Sequence, residues 1–318
     1  MRAVGTEAFE FFRVPASLYR PGDIIEEDLY FLYQGQYVLY RLKNLVWKED
    51  DNQRLREVDI QDLFMKFLSK RDHQKFLEVH LAKVLDAPQV PVSQKAKLLY
   101  QTSQSLVEEI FEAPGSSENI KRSMKSIKNT IDFLGKGKEN FFELMSLATS
   151  NFSEYSHALH TAAYSIAMAH QMGIKSFNQI SAIGTAALLH DIGKSRVARS
   201  ILDKPGPLTA DERALVEQHP QFSYEIVKES RSIPEVAELI ILQHHERPNG
   251  KGYPHGMSQE IHAFSKLVAL GDVFDSLTSD RVYQKAMKPL DAIEFLRGDL
   301  KEEYDQNLLI DFIRMLKK

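Results

Sequence analysis

The sequence predicts a mainly α-helical protein in which an all-helical domain follows a smaller α+β N-terminal domain. Two observations support this fold class. In roughly the first 90 residues, short aromatic and β-branched runs alternate with turn residues, which is typical of strands and short helices. From residue 139 onward, apolar residues recur at the three- and four-residue spacing of amphipathic helices.

The N-terminal part reads as a small α+β module. Residues 30–33 and 37–40 flank a Gly-containing turn and are predicted to be two strands. Residues 45–47 are predicted to be a third strand, and residues 59–67 and 74–85 are predicted to be helices. The aromatic side chains of this module are interpreted as its core.

Three breaks separate this module from the helical part. They are the prolines at 88 and 91, the linker at residues 113–117, and the glycines at 135 and 137, with predicted helices at 95–111 and 119–133 between them. The boundary is placed at the last break, because dense helical patterning begins there. The expected domains are therefore residues 1–138, including a helical connector, and residues 139–318.

Composition narrows the class of protein. The 318 residues contain no cysteine, which excludes disulfides, thiolate catalysis and cysteine-bound zinc, and which suits a reducing compartment. The N-terminus lacks an apolar signal segment, and no run approaches the ~20 apolar residues of a membrane span. The formal net charge of -4 argues against a nucleic-acid polymer as partner. We therefore expect a cytoplasmic protein.

Imidazole and carboxylate side chains in the second domain have the chemistry of a metal site, because both donate lone pairs to divalent cations. Helical spacing places each histidine at the core-facing edge of an apolar stripe, as for Ile183, Ala187 and His190. Leu215, His219 and Phe222 are read in the same way as one helix face. The predicted ligands are His160, His190, Asp191, His219, His244, His245 and Asp272.

The number of candidate ligands predicts two cations, since seven are too many for one tetrahedral ion. Asp191, beside the predicted ligand His190, is expected to bridge the two ions with one oxygen to each. Fe or Mn is favoured, and Zn or Ni is also compatible with these donors.

A histidine on an apolar face is more often a hydrogen-bonded core residue than a ligand, so each assignment has a structural alternative. His157 lies three residues before His160 and competes for its place. The histidines interpreted as structural, exposed or belonging to the N-terminal module are His73, His80, His170, His255 and His262.

Positive and glycine-rich segments flank the predicted ligands. Lys194 and Arg281 are candidates for contacting a phosphate, and Lys194 is expected to assist catalysis together with Asp191. The alternative for Lys194 is a solvated lysine that complements a helix end. Gly252 and Tyr253, in the loop after the histidine pair, are candidates for lining the substrate pocket, with a plain turn as the alternative.

Together these motifs resemble the HD-GYP family, a branch of the HD-domain phosphohydrolases. The HD motif and its lysine appear at residues 190–194, a family stretch appears at 201–212, His219 precedes Pro220, and the HHExxxGxGYP signature occupies residues 244–254. Two departures stand out. The segment after Asp272 reads RVYQ instead of ending in a basic residue, and Ser156 replaces the carboxylate with which some members hold a third metal.

The resemblance implies a phosphodiesterase that hydrolyses cyclic-di-GMP, a bacterial second messenger, to pGpG or GMP with a metal-bridging hydroxide. It also implies metal binding by the seven residues named above and phosphate contacts by Lys194 and Arg281. Two alternatives stay open. One is a silent module that binds cyclic-di-GMP or a protein, and the other is an HD phosphohydrolase for a different nucleotide. The N-terminal module is expected to sense a signal or bind a partner protein.

Overall fold

The computed structural model describes residues 9–148, 153–280 and 285–317. They form two compact units, one ending at Leu98 and the other beginning at Leu99. The predicted fold class is confirmed, since a small antiparallel sheet precedes a unit whose described residues build helices. The domain boundary predicted at residue 138 lies inside the second unit. The division into a regulatory domain and a metal-binding domain at that residue stays a prediction.

The N-terminal unit contains a four-stranded antiparallel sheet with the strand order β1-β4-β2-β3. The hairpin β2–β3 confirms the two strands predicted around the glycine turn. At that turn Gln34 and Gly35 both have positive φ angles, of 47° and 79°, as a tight two-residue hairpin requires. The elements are β1 Glu10–Pro15, β2 Leu29–Tyr33, β3 Gln36–Arg41, α1 Glu49–Glu57, β4 Asp62–Phe67 and α2 Lys70–Leu85.

Two predictions for this unit are wrong. Residues 59–67, predicted to be a helix, contain strand β4, in which Leu63 and Met65 are fully buried and alternate with less buried neighbours. That two-residue period belongs to a strand, and β4 gains its partners from β1 and β2. Residues 45–47, predicted to be a strand, provide only one isolated bridge, between Ile24 and Val46.

Helix α3 spans Val92–Glu112, and the helices that follow it form a bundle around the most buried of them, α6. Helix α6 packs against α7 and α12, and α11 packs against α7 and α10. The other helices are α4 Ser117–Leu134, α5 Lys138–Ser146, α6 Glu154–Gln171, α7 Phe177–Leu189, α8 Arg199–Leu202, α9 Ala210–Val216, α10 His219–Ser230, α11 Glu235–Gln243, α12 Ala263–Thr278, α13 Pro289–Arg297 and α14 Gln306–Leu316.

Close backbone packing brings α12 onto α6. A Cβ atom on Gly271 would lie 3.2 Å from the Ser165 hydroxyl oxygen and 3.4 Å from the Thr161 carbonyl oxygen, so a larger side chain would push the helices apart. Asp272, the next residue, is thereby held against α6. None of the described helices combines the length and the apolar character that a membrane crossing needs.

Local signals set the limits of the helices around the candidate ligands. A capping box of Thr209 and Glu212 starts α9. Pro234 is the N-cap of α11. The single helix predicted to carry both Leu215 and Phe222 is broken, because α9 ends at Val216 and α10 begins at His219.

Candidate metal centre

The candidate ligands come together at one end of the helical core, and most of them stand where a helix begins or ends. His190 and His244 are the C-cap residues of α7 and α11, and His219 is the first residue of α10. His157 and Asp272 lie inside α6 and α12. Helix ends leave main-chain carbonyls free of intrahelical partners, and these carbonyls become available to the histidine rings.

Three histidines are oriented by the backbone. The Nδ1 atoms of His190, His219 and His244 lie 2.7, 2.8 and 2.6 Å from the carbonyl oxygen three residues earlier. Because a carbonyl only accepts, each Nδ1 carries a hydrogen, and in the neutral form of each ring Nε2 presents its lone pair to the interior. This is the usual arrangement of a histidine that binds a metal.

The ligand atoms of His157, His190 and Asp191 form a first group, in which all lie within 4.8 Å of one another. Oδ2 of Asp191 lies 3.3 Å from Nε2 of His190 and 3.8 Å from Nε2 of His157. Asp272 adds a second carboxylate, with Oδ1 3.2 Å from Nε2 of His157 and 4.0 Å from Nε2 of His190.

A second group consists of Asp191, His219, His244 and His245, again within 4.8 Å. Nε2 of His219 lies 3.0 Å from Oδ1 of Asp191 and 3.3 Å from Nε2 of His244. Nδ1 of His245 lies 3.7 Å from Oδ2 of Asp272. Asp191 therefore belongs to both groups and offers a different oxygen to each.

Two buried atoms at the centre test whether these residues fit a cation. Nε2 of His190 and Oδ1 of Asp191 have no hydrogen-bond partner among the described residues. The approach of His219 to Asp191 is short, but it lacks hydrogen-bond alignment. Since buried polar atoms are rarely left unpaired, two lone pairs facing inward fit a divalent cation between them.

The pKa values of the carboxylates favour the charged, metal-binding form. Burial alone would raise the pKa of Asp191, but the positive charges of His190, when that ring is protonated, and of Lys194 outweigh burial and hold that pKa well below the usual range. Burial likewise opposes ionisation of Asp272, but the hydrogen bond with His157 and the charge of that ring when it is protonated outweigh burial and hold the pKa of Asp272 well below the usual range.

The pKa values of the buried histidines are shifted in opposite directions in the two groups. Burial and the neighbouring imidazoles lower the pKa values of His244 and His245, which keeps these rings neutral and able to bind a cation. Burial also disfavours the charged form of His157, but hydrogen bonds with Asp272 and Asp275 outweigh it and raise the pKa of His157 to about 9. A cation at His157 would therefore replace a proton.

The structure differs from the sequence prediction at His160. Its Nδ1 atom lies 2.8 Å from Oδ1 of Asp275, and its Nε2 atom lies 2.9 Å from the hydroxyl of Tyr100, so both ring nitrogens already have partners. His157, which competed with His160 in the sequence prediction, belongs to the first group instead. A three-residue step keeps both histidines on one helix face, so apolar spacing alone does not separate them.

Lys194 forms an ion pair with the candidate ligand Asp191. It lies in a short 3-10 helix, Ile192–Arg196, and its ammonium is 2.6 Å from Oδ2 of Asp191. Gly193, in the same short helix, allows close packing, because a Cβ atom there would lie 2.2 Å from the His219 carbonyl oxygen. Arg281, the other predicted phosphate contact, lies outside the described residues.

The loop after the histidine pair folds back onto it. The amide of Tyr253 donates to the carbonyl of His245 over 3.1 Å, and the two rings are 4.5 Å apart between centroids. A Cβ atom on Gly252 would lie 2.4 Å from that same carbonyl oxygen, so only glycine fits this approach. Glu246 was not predicted, yet its buried carboxylate accepts the amides of His255 and Met257 and ties down the loop.

Apart from His157, the histidines that were not predicted to bind metal lie outside both groups. His262 caps α12 by accepting the amide of Phe264, and the side chain of His255 is half exposed. His73 contacts the carbonyl of Arg13 in the N-terminal unit, where His80 also lies.

The HD-domain family matches residues 141–308, which contain all the candidate ligands. PA4108, a cyclic di-GMP phosphodiesterase of Pseudomonas aeruginosa, is 36% identical over 172 residues, 54% of this chain and 41% of the relative. The 3′3′-cGAMP-specific phosphodiesterase 3 of Vibrio cholerae is 36% identical over 151 residues, 47% of this chain and 32% of the relative. The chain thus spans less than half the length of either relative.

Among solved structures, Bd1817, an HDG"Y"P protein of Bdellovibrio bacteriovorus, superposes with a TM-score of 0.67. The superposition covers 97% of this chain and 100% of that one at 18% sequence identity. The similarity establishes a common fold over nearly the whole chain.

Proposed function

This chain belongs to the HD-GYP branch of the HD-domain family, and on that premise we propose that it is a metal-dependent phosphodiesterase acting on cyclic-di-GMP. Hydrolysis yields pGpG, GMP or both. The observation that carries the proposal is the sharing of Asp191 between two groups of inward-facing histidines. One carboxylate that offers a different oxygen to each group suits a pair of cations.

In this proposal His157 and His190 would hold one ion, and His219, His244 and His245 would hold the other. Asp191 would contribute an oxygen to each ion. Asp272 would contribute to the first ion, because its Oδ1 atom lies 3.2 Å from Nε2 of His157. His157 thereby takes the place that the sequence analysis gave to His160. We favour Fe or Mn, since imidazole and carboxylate donors suit both.

Bound ions of this kind lower the pKa of water and polarise a phosphoryl oxygen. The protein's own contribution begins with Lys194. Its ammonium, one turn after His190, is paired with Asp191. With cations bound to that carboxylate, the ammonium would be available to a phosphate oxygen. Tyr253 and Gly252 line the same centre, and the tyrosine ring is placed to contact a base. Arg281 keeps the phosphate-binding role that the family resemblance implies.

A second candidate substrate, 3′3′-cGAMP, is favoured by one observation. The relative specific for that nucleotide is as similar in sequence as PA4108, at 36% identity. Both nucleotides present two phosphodiesters and at least one guanine, so the choice between them depends on contacts to the second base.

The proposal extends to the setting of the enzyme. We place it in the cytoplasm, because a chain without cysteine suits a reducing compartment. The N-terminal unit is proposed to bind a signal or a protein partner.

The decisive experiment supplies Mn²⁺ or, without oxygen, Fe²⁺ to the full chain and separates the products of cyclic-di-GMP, 3′3′-cGAMP and cyclic-di-AMP by chromatography. Preferential turnover of cyclic-di-GMP supports the proposal. Preferential turnover of 3′3′-cGAMP selects the second candidate. Binding of cyclic-di-GMP without product, in protein that holds its metal, refutes an enzymatic role.

A further inference from the structure

A chain of buried hydrogen bonds stands behind His157, at the ring nitrogen that does not face the other ligands. Oδ2 of Asp275 lies 2.7 Å from Nδ1 of His157, and Oδ1 of Asp275 lies 2.8 Å from Nδ1 of His160. The hydroxyl of Tyr100 lies 2.9 Å from Nε2 of His160. All four side chains are buried, so water is a poor substitute for any lost partner.

The acceptor at the centre of this chain determines where the protons lie. Asp275 offers one oxygen to each of two imidazoles, which is the arrangement of a carboxylate that accepts two hydrogen bonds. A carboxylate only accepts, so Nδ1 of each histidine carries a hydrogen. In the neutral ring of His160, Nε2 then accepts from the Tyr100 hydroxyl. Nε2 of His157 faces Asp272 and is the nitrogen at which a cation would replace a proton.

We propose that Asp275, His160 and Tyr100 are positioning residues that hold His157 in the metal-binding tautomer and orientation. The inference rests on the proposed function, because it requires the centre to bind cations. His160, predicted from the sequence to be a ligand, thus acts on the ligand His157 through Asp275.

The positioning is specific to the group that contains His157. Three other histidines of the centre, His190, His219 and His244, are oriented by main-chain carbonyls, and no side-chain substitution removes those acceptors. A change in Asp275 therefore weakens one cation site and leaves the other.

The hydrogen-bond chain also reaches beyond the residues that match the HD-domain family. That match begins at residue 141, whereas Tyr100 lies on helix α3. The orientation of His157 therefore depends on a residue of α3, a helix that precedes the residues matched by the HD-domain family.

The test is a titration of the metal-free full chain with Mn²⁺, which measures the number of sites and the affinity of each. In Asp275→Asn the amide can accept from only one histidine and offers a donor to the other. The affinity of one site is expected to fall about 10- to 100-fold, as is usual when the partner of a ligating histidine is lost. The affinity of the other site is expected to stay within about twofold.

Two further changes keep the test informative if Asp275→Asn does not fold. His160→Asn retains a donor towards Asp275 and should preserve both affinities, whereas His160→Leu removes the donor and should weaken the same single site. Tyr100→Phe should weaken that site by about fivefold or less, as expected for one neutral hydrogen bond. Tyr164→Phe is the matched control, since it removes a buried hydroxyl from the same helix as His160 but none of the bonds described above.

Unchanged affinities in both Asp275→Asn and His160→Leu would overturn the inference, and so would an equal loss at both sites. If Tyr164→Phe and Tyr100→Phe lowered the Mn²⁺ affinity equally, Tyr100 would have no positioning role. Wild-type protein that binds no Mn²⁺ would overturn the proposed function as well. If wild-type protein binds two Mn²⁺ ions and the variants bind them with the same affinities, the positioning role is overturned and the proposed metal centre is not.

Discussion

Oδ1 of Asp191 lies 3.0 Å from Nε2 of His219, yet this buried oxygen accepts no hydrogen bond from the described residues. His219 donates through Nδ1 to the carbonyl of Val216, so in the neutral form of its ring Nε2 turns a lone pair towards the carboxylate. Two lone pairs held this close repel each other unless a positive charge lies between them. The contact therefore has the character of a cation site.

Asp191→Asn should impair both cation sites at once, because the amide loses the negative charge and one of the two acceptor oxygens. We expect the bound metal to fall well below two equivalents and turnover to fall about 10²- to 10³-fold, the cost typical of removing one electrostatic group from an active site. Metal analysis and product chromatography measure the two effects. Glu225→Gln, which neutralises a surface carboxylate paired with Arg196, is the control and should match wild type.

His157→Ala should remove one cation and spare the other. A lost ligand should cost at least as much as a lost outer partner, so the affinity of one site should drop by at least about 100-fold. His170→Ala serves as the control, because His170 lies outside both ligand groups. Retention of two full-affinity sites in His157→Ala would return His160 to the role of ligand.

The metal-free protein should lose stability as the pH rises from about 6.5 to about 9. The pKa of folded His157 is raised to about 9, above its unfolded value, so its contribution is complete below the unfolded pKa and disappears as the pH passes the folded pKa. The loss amounts to about 3 kcal/mol at most. Thermal unfolding in chelator should show it in wild type and not in His157→Gln. Equal pH dependence in both proteins would show that other groups are responsible.

Gly252→Ala should displace the loop that carries Tyr253, because the added carbon would meet the His245 carbonyl oxygen at 2.4 Å. Overpacking of this kind costs about 1–3 kcal/mol. We expect a lower Tm together with reduced turnover. Gly115→Ala adds the same carbon where no atom lies within 4 Å and should leave both quantities unchanged.

The helical core and most of the centre could be predicted from the sequence, because amphipathic spacing and abutting His-Asp and His-His pairs are local signals. The choice between His157 and His160 could not, since both lie on one helix face and only Asp272, Asp275 and Tyr100, remote along the chain, distinguish them. Strand β4 was missed for a related reason. Its six residues, Asp62–Phe67, gain their strand character from pairing with β1, which is distant along the chain.

Glu246 and Gly193 show a second limit. Each was visible within a motif, but their contacts with the amides of the loop and with the backbone of α10 depend on how separate segments meet. Local spacing indicates which side chains face the core, and the packing of helices determines what they touch there.

Anomalous diffraction from crystals of the full chain loaded with Mn²⁺ tests the central claim most directly. The account predicts two manganese peaks about 3.5–4 Å apart, one on either side of Asp191. One peak should contact His157 and His190, and the other should contact His219, His244 and His245. A single peak, or a pair that Asp191 does not bridge, would contradict it.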